Sequence, residues 1–293
     1  MPPGARAALL TACVLWAVSF VATRVALETT PPLVVVSLRL LVSAGCFLPW
    51  IVRSGGVAGI GGARGLGRLF GLSLFGAGLH YGLQTVGLQY TTASNASLYA
   101  VTAPITILLL SAMFLGEHVT VRKALGVALA VAGVLVVMGA ETLTSLQLDA
   151  PVRGDLLVLV SIVMWGLFTV LGKKVTDELG ALKVTSWVTL IGALWMAPVG
   201  AFEMSATGFS PGRMTLDAWL AIGFLGIGCS FLAVLLYFVA LRRTESQKVG
   251  VYLYTIPPMT AVVAVPYLGE TLSVNLILGA VLVIAGVALT ERG

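Results

Sequence analysis

Apolar residues fall into ten long runs along this chain, and the polar residues collect between them. The runs lie near 5–27, 31–53, 68–90, 93–115, 121–140, 153–174, 181–203, 216–241, 247–268 and 272–290. About 20 mostly apolar residues carry a helix across a bilayer. The pattern therefore predicts an all-α polytopic membrane protein with ten transmembrane helices. Connections such as Tyr90-Thr91-Thr92 and Glu117-His118-Val119-Thr120 are too short to hold a soluble domain. Two are longer: Ser54 to Gly67 is glycine-rich and flanked by Arg53 and Arg68, and Glu141 to Arg153 includes Asp149.

The pattern is written twice. A shift of 153 positions carries Leu115-Gly116-Glu117 onto Leu268-Gly269-Glu270, and also Thr91 onto Thr244, Tyr99 onto Tyr252, Pro104 onto Pro257, Gly126 onto Gly279 and Gly133 onto Gly286. A shift of 149 carries Trp16 onto Trp165 and Arg24 onto Lys173. The expected organisation is a first five-helix repeat over 1–140, a connecting loop over 141–152 and a second five-helix repeat over 153–293. Five spans per repeat is an odd number, so the two copies enter the bilayer from opposite sides. Inverted repeats of this kind are frequent in proteins that expose a midplane site alternately to either face.

Composition agrees with the periodicity: 58% of residues are hydrophobic and only 10% charged, with a mean hydropathy of +1.03, against roughly 25% charged in soluble domains. Thirteen of the seventeen Lys and Arg residues fall in the connections on the side of the amino terminus, and only Arg153 and Arg213 on the other. Basic residues stay cytoplasmic, so both termini are expected in the cytoplasm. The net charge of +5 follows from topology and implies no nucleic-acid partner. The first run opens at Arg6 and is too long for the apolar core of a secretory signal. Cys13, Cys46 and Cys229 are scattered through apolar runs and suit packing better than disulfides or metal ligation.

Two cations lie inside spans. Arg24 is a turn from the end of span one, where it can snorkel to the interface beside Glu28. Arg39 sits about 12 Å into span two, close to the middle of a ~30 Å core, and aligns with Val188 in the other repeat. Bracing and contact with a substrate carboxylate are both open for it. His80 in span three has Gln84 one turn along the same face; it can bind a solute, relay protons or bond a neighbouring helix. Gly76-Ala77-Gly78 and Gly226-Ile227-Gly228 allow close approach or bending. Pro104 and Pro257 are expected to kink the centres of spans four and nine, freeing carbonyls near Ala100 and Leu253. Trp16, Tyr99, Trp165 and Tyr252 lie too deep for an interfacial belt, and Phe20 and Tyr237 fall in the same regions. With Ser19, Gln84 and Thr169 they suit a cavity for neutral, partly apolar solutes. Spans five and ten carry glycines seven residues apart and are expected to be peripheral packing helices or a dimer contact. Glu28, Glu117, Glu141, Glu203 and Glu270 all fall at helix ends, and Glu117 and Glu270 are expected to satisfy the amino termini of the helices that follow them.

Leu15-Trp16-Ala17-Val18-Ser19-Phe20 leading to Arg24, Ser37-Leu38-Arg39-Leu40, and the doubled Leu-Gly-Glu before a glycine-rich helix resemble the EamA-type members of the drug/metabolite transporter superfamily, over essentially the whole chain. The resemblance implies two inverted five-helix repeats, with a central cavity among spans one to four and six to nine. The amino-acid exporter branch, including exporters of aromatic amino acids, is the most similar in length and aromatic content. The expectation is an inner-membrane exporter of amino acids or related small metabolites, working by alternating access without cofactor or metal. Exporters of other metabolites or drugs in the same superfamily are the alternative, and an intramembrane lipid-modifying enzyme is the rival class. Trp16, Ser19, Phe20, Arg39, His80, Gln84, Tyr99, Trp165, Thr169, Tyr237 and Tyr252 are the candidate substrate contacts. Proton exchange through His80 and facilitated diffusion both remain open, as do monomer and homodimer.

Overall fold

The computed structural model describes residues 3–53, 55–115, 120–138, 150–241, 252–253 and 255–291. The helices are α1 (Pro3–Leu27), α2 (Pro32–Arg53), α3 (Gly62–Ser73), α4 (His80–Gly87), α5 (Ala93–Ala100), α6 (Ala103–Leu115), α7 (Val121–Met138), α8 (Ala150–Leu179), α9 (Ala181–Thr207), α10 (Leu216–Phe224), α11 (Val234–Leu241), α12 (Ile256–Leu268) and α13 (Val274–Glu291). Among the described residues there is no strand. Seven stretches are long and apolar enough to cross a bilayer: Gly4–Leu27, Pro32–Arg53, Ala93–Phe114, Val121–Met138, Ala150–Leu179, Ala181–Thr207 and Leu216–Ala240. Met113, Phe202 and Val262 are about three-quarters exposed on the outer faces. In water such a surface would be costly; in a bilayer it faces lipid.

Two of the longer helices are interrupted by π turns, Leu74–Leu79 between α3 and α4 and Leu225–Ala233 between α10 and α11. They contain the two Gly-x-Gly sequences. A Cβ on Gly76 would stand 2.6 Å from the Phe168 ring, and one on Gly226 would stand 2.6 Å from Val42. The missing side chains thus admit neighbouring helices where the backbone is locally wide. The expected kinks are full breaks. α5 stops at Ala100 and α6 starts at Ala103, with Pro104 in its first turn. Thr102 Oγ1 donates to the Tyr99 carbonyl at 2.7 Å, and Thr255 Oγ1 donates to the Tyr252 carbonyl at 2.7 Å just before α12. Each hydroxyl satisfies a carbonyl near the break.

The sequence pattern misplaces several helix ends. α3 begins at Gly62, inside the predicted loop of 54–67, and α8 spans Ala150–Leu179, longer at both ends than 153–174. Residues 150–152 of the predicted connecting loop are helical, and 141–149 lie outside the described residues. α8 joins α9 through Gly180 alone, at φ 86°, a left-handed backbone that a side chain would strain.

Helix starts show why charged residues gather at helix ends. Pro32 opens α2 and has no N–H to satisfy; the next two, Leu33 and Val34, donate to Glu203 Oε2 at 2.8 and 2.9 Å. At α5, Thr92 caps Asn95 N–H, while Ala93 and Ser94 N–H donate to Glu270 at 2.7 and 3.0 Å. Glu270 therefore caps α5, a distant helix, and not the following one as expected; α13 takes Ser273 as its own cap, accepting from Leu276 N–H. Glu117 lies outside the described residues.

Packing between the halves is matched. α2 lies along α9, and α5 meets α12. α1 packs on α10, α11 and their π turn, as α8 packs on α4 and its π turn; α1 also packs on α12, as α8 does on α5 and α6. α7 and α13 pack chiefly on each other. Their glycines make that contact: a Cβ on Gly133 would stand 2.8 Å from the Gly279 carbonyl, and one on Gly279 would stand 2.7 Å from the Gly133 carbonyl. The glycine faces are therefore used within the chain and are not open for a dimer. Gly133→Val is expected to cost about 1–3 kcal/mol by overpacking, read as a lower thermal unfolding midpoint in detergent. An unchanged midpoint would show that the two helices part freely.

Candidate functional site

The breaks, π turns and paired helices leave a central cavity of about 70 Å³. Three matched pairs contribute to its wall: Trp16 with Trp165, Ala100 with Leu253, and Ala103 with Ile256. The last two pairs flank the helix breaks, where the chain cannot stay close-packed. Ser19, Phe20, Arg39, His80, Tyr81, Gln84 and Ile162 complete the lining. A smaller cavity of about 20 Å³ lies behind Tyr81 and Trp165, which wall both, and reaches Ser230 and Thr189.

Arg39 is 2% exposed. Its Nε donates to Ser230 Oγ at 3.0 Å, and its guanidinium carbon lies 4.1 Å from the centre of the Tyr81 ring. The cation is thus braced along one edge by a hydroxyl and on one face by an aromatic ring. Among the described residues, no carboxylate or carbonyl accepts from its Nη groups. The Nε edge is thus braced, and Arg39 is also part of the cavity lining.

His80 Nδ1 lies 2.9 Å from the Ser161 carbonyl. A carbonyl only accepts, so Nδ1 carries a proton, and in the neutral tautomer Nε2 is left as an acceptor. The ring centre is 5.1 Å from Trp165 and 5.0 Å from Tyr81. Trp16 meets Trp165 edge-on at 6.0 Å, and Tyr237 backs both at 5.3 and 6.0 Å. These T-shaped and tilted contacts fix the wall in one arrangement.

Seven of the eleven predicted contacts share this cavity: Trp16, Ser19, Phe20, Arg39, His80, Gln84 and Trp165. Four do not line it. Tyr237 stands behind the tryptophans. Thr169 is half-buried, with its hydroxyl donating to the Trp165 carbonyl. Tyr252 packs among apolar side chains, and its carbonyl accepts from Cys13 Sγ. Tyr99 is completely enclosed, 0% exposed, within an apolar cluster and off the cavity wall. The sequence reading passed over Ser230 and Tyr81 as polar partners of Arg39. Their only signal is position, one beside a Gly-x-Gly run and the other beside His80.

Among the described residues no carboxylate lines the cavity, and no group of three or more His, Cys, Asp or Glu could hold a metal ion. Cys13 and Cys229 are buried thiols bonded to backbone carbonyls, the second at 3.3 Å from the Leu15 carbonyl. Arg24 reaches across to the Leu88 carbonyl at 2.6 Å and does not pair with Glu28.

Comparison with known proteins gives the geometry a lineage. The chain is 30% identical over 276 residues to an uncharacterized transporter of Archaeoglobus fulgidus, covering 94% of this chain and 93% of that one. It is 29% identical over 291 residues to the uncharacterized transporter YvbV of Bacillus subtilis, covering 99% and 92%. The uncharacterized inner membrane transporter YedA of Escherichia coli is 25% identical over 273 residues, covering 91% and 83%. One solved crystal structure superposes with a TM-score of 0.67 at 21% identity, covering 99% of this chain and 96% of that one, a likeness of fold. The EamA-like transporter family matches twice, over residues 5–139 and 152–292, and the chain belongs to that family.

Proposed function

We propose that this multi-pass membrane transporter exports amino acids, neutral and aromatic ones favoured, or related small metabolites, by alternating access around the central cavity. The observation that carries the reading is Arg39: a buried cation at the wall of an aromatic cavity with no carboxylate among its described lining residues. A guanidinium fork matches a carboxylate in plane and charge. His80 Nε2 can accept from an ammonium, Gln84 offers both an acceptor and donors, and Trp16 and Trp165 supply apolar faces. The same field disfavours organic cations, which would meet Arg39 without a compensating anion.

The matched packing of the two halves supports two inverted five-helix repeats that rock about the cavity. The excess of Lys and Arg on the amino-terminal side supports cytoplasmic termini in an inner membrane. In this orientation the α4–α5 turn is on the outer side.

The test is counterflow. Purified protein in liposomes loaded with unlabelled solute is offered labelled amino acids, organic cations and sugar phosphates in parallel. Amino acids should exchange without chemical change, and organic cations should not. If cations alone exchanged, Arg39 could not be the recognition centre, and recovery of a modified product would point to an enzyme.

A further inference from the structure

Arg39 stands between the two cavities. It lines the larger one, its Nε partner Ser230 lines the smaller, and the Tyr81 ring that its guanidinium covers walls both. An arginine does not shed its proton to escape burial, and an ionised group taken out of water needs an opposite charge close by. Among the described residues no carboxylate pairs with it. Glu203 is engaged at the start of α2, at Leu33 and Val34 N–H, more than a turn from Arg39. Glu270 is engaged at Ala93 and Ser94 N–H, and Asp155, a buried carboxylate on α8, accepts from Thr91 Oγ1.

The smaller cavity is rich in donors. Ser230 is 2% exposed and Thr189 7%, and both line it together with Tyr81. The oxygen of Ser230 accepts from Arg39, so its O–H is left to give. The Tyr81 hydroxyl adjoins Ser230, and two hydroxyls that share one hydrogen bond still keep one proton for a third group. Thr189 completes no hydrogen bond among the described residues, whereas Thr185, one turn earlier on α9, gives its hydroxyl back to the Ala181 carbonyl at 2.8 Å. The rest of the wall is small, aliphatic or aromatic, and no side-chain acceptor other than a hydroxyl lines it. A volume of about 20 Å³ admits one body the size of a water molecule. A monatomic halide is of that size; a phosphate, a sulfate or an amino acid is not.

We propose that the smaller cavity binds one halide ion, chloride, held by the hydroxyls of Ser230, Tyr81 and Thr189 in the field of Arg39. The site goes beyond the transport reading, and its effect on the solute rests on that reading. Bound chloride balances the guanidinium while no solute is present. A solute carboxylate brings the same charge to the same guanidinium, so the two anions compete. Chloride at about ten times its own dissociation constant should weaken solute binding about tenfold. One ion balances one guanidinium, so an organic cation would still bring an unbalanced charge.

The first measurement is thermal unfolding of the full chain in detergent without solute, with sodium chloride exchanged for sodium gluconate at constant ionic strength. Gluconate is too large for the cavity, so the wild-type midpoint should rise with chloride and saturate. Thr189→Val keeps the size of the side chain and loses the hydroxyl; it should retain counterflow and lose most of that rise. Crystals grown in sodium bromide should show an anomalous-scattering peak beside Ser230 and Thr189. A midpoint equal in both salts, as a water-filled cavity would give, overturns the proposal. So does a Thr189→Val protein with the full rise, or bromide found only elsewhere. Should Thr189→Val fail to fold, the wild-type titration and the bromide position decide between these outcomes. The second measurement is the affinity of the best counterflow solute with and without chloride. Saturable stabilisation by chloride with an unchanged solute affinity overturns the competition and leaves the transport reading standing. Wild type without counterflow of any panel solute overturns the transport reading, while the halide titration stands or falls by itself.

Discussion

Arg39→Lys should weaken recognition of carboxylate solutes by on the order of a hundredfold, although the charge is kept. Nε holds Ser230, and Arg39 is part of the cavity wall, so under the proposed reading the guanidinium divides its work and its Nη groups meet the solute. A lysine ammonium is one point with a shorter reach. It can serve Ser230 or the solute, not both, and it has no plane to lay on Tyr81. A bidentate guanidinium–carboxylate contact is two charge-assisted hydrogen bonds, each worth about 1.5–3 kcal/mol, and about 3 kcal/mol in all is a hundredfold. Binding affinity in detergent, by calorimetry with the best counterflow solute, measures this directly. Ser230→Ala is the companion: it removes only the brace and should cost several-fold. An Arg39→Lys protein with wild-type affinity would confine Arg39 to bracing.

Trp165→Ala should be the most damaging single truncation of the wall. Its ring meets Trp16, His80, Phe168 and Tyr237, with centroids 5.1–6.0 Å away, and it walls both cavities. Large aromatic-to-alanine truncations cost about 3–5 kcal/mol, so the thermal midpoint in detergent should fall well below wild type. The two cavities should also merge, moving preference towards bulkier solutes. Trp165→Phe should recover most of the stability and little of the changed preference. A Trp165→Ala protein as stable and as selective as wild type would mean that the ring only fills space.

The all-helical, apolar character of the chain, with seven membrane-length helices among the described residues, was legible because a bilayer leaves the chain few options: backbone groups must be satisfied inside a helix, and the side chains around it must tolerate lipid. Breaks beside Pro104 and before Pro257 were legible for the same local reason. Depth was therefore readable, but direction around the helix axis was not. Tyr99 and Ala100 are adjacent and equally deep, yet a helix turns about 100° per residue; Ala100 faces the cavity and Tyr99 faces a closed apolar cluster. The Glu270 clasp on Ala93 was hidden because it joins positions 177 residues apart, which no local rule connects. Asp155 was passed over for a different reason. It stands two residues inside the predicted start of a span, where a polar residue passes for interfacial, and the packing of α8 on α4 and α5 buries it.

The glycine-to-glycine contact of α7 with α13 also bears on how the chain is made. α7 ends at Met138 and α13 begins at Val274, 136 positions later (274 − 138). At about 5–20 residues per second, the Gly126–Gly133 face of a nascent chain waits roughly 7–27 s in the membrane before its partner is synthesised. The last helix thus closes the first repeat as well as the second. A nascent chain that has not yet made α13 therefore carries an unfilled glycine seam on α7.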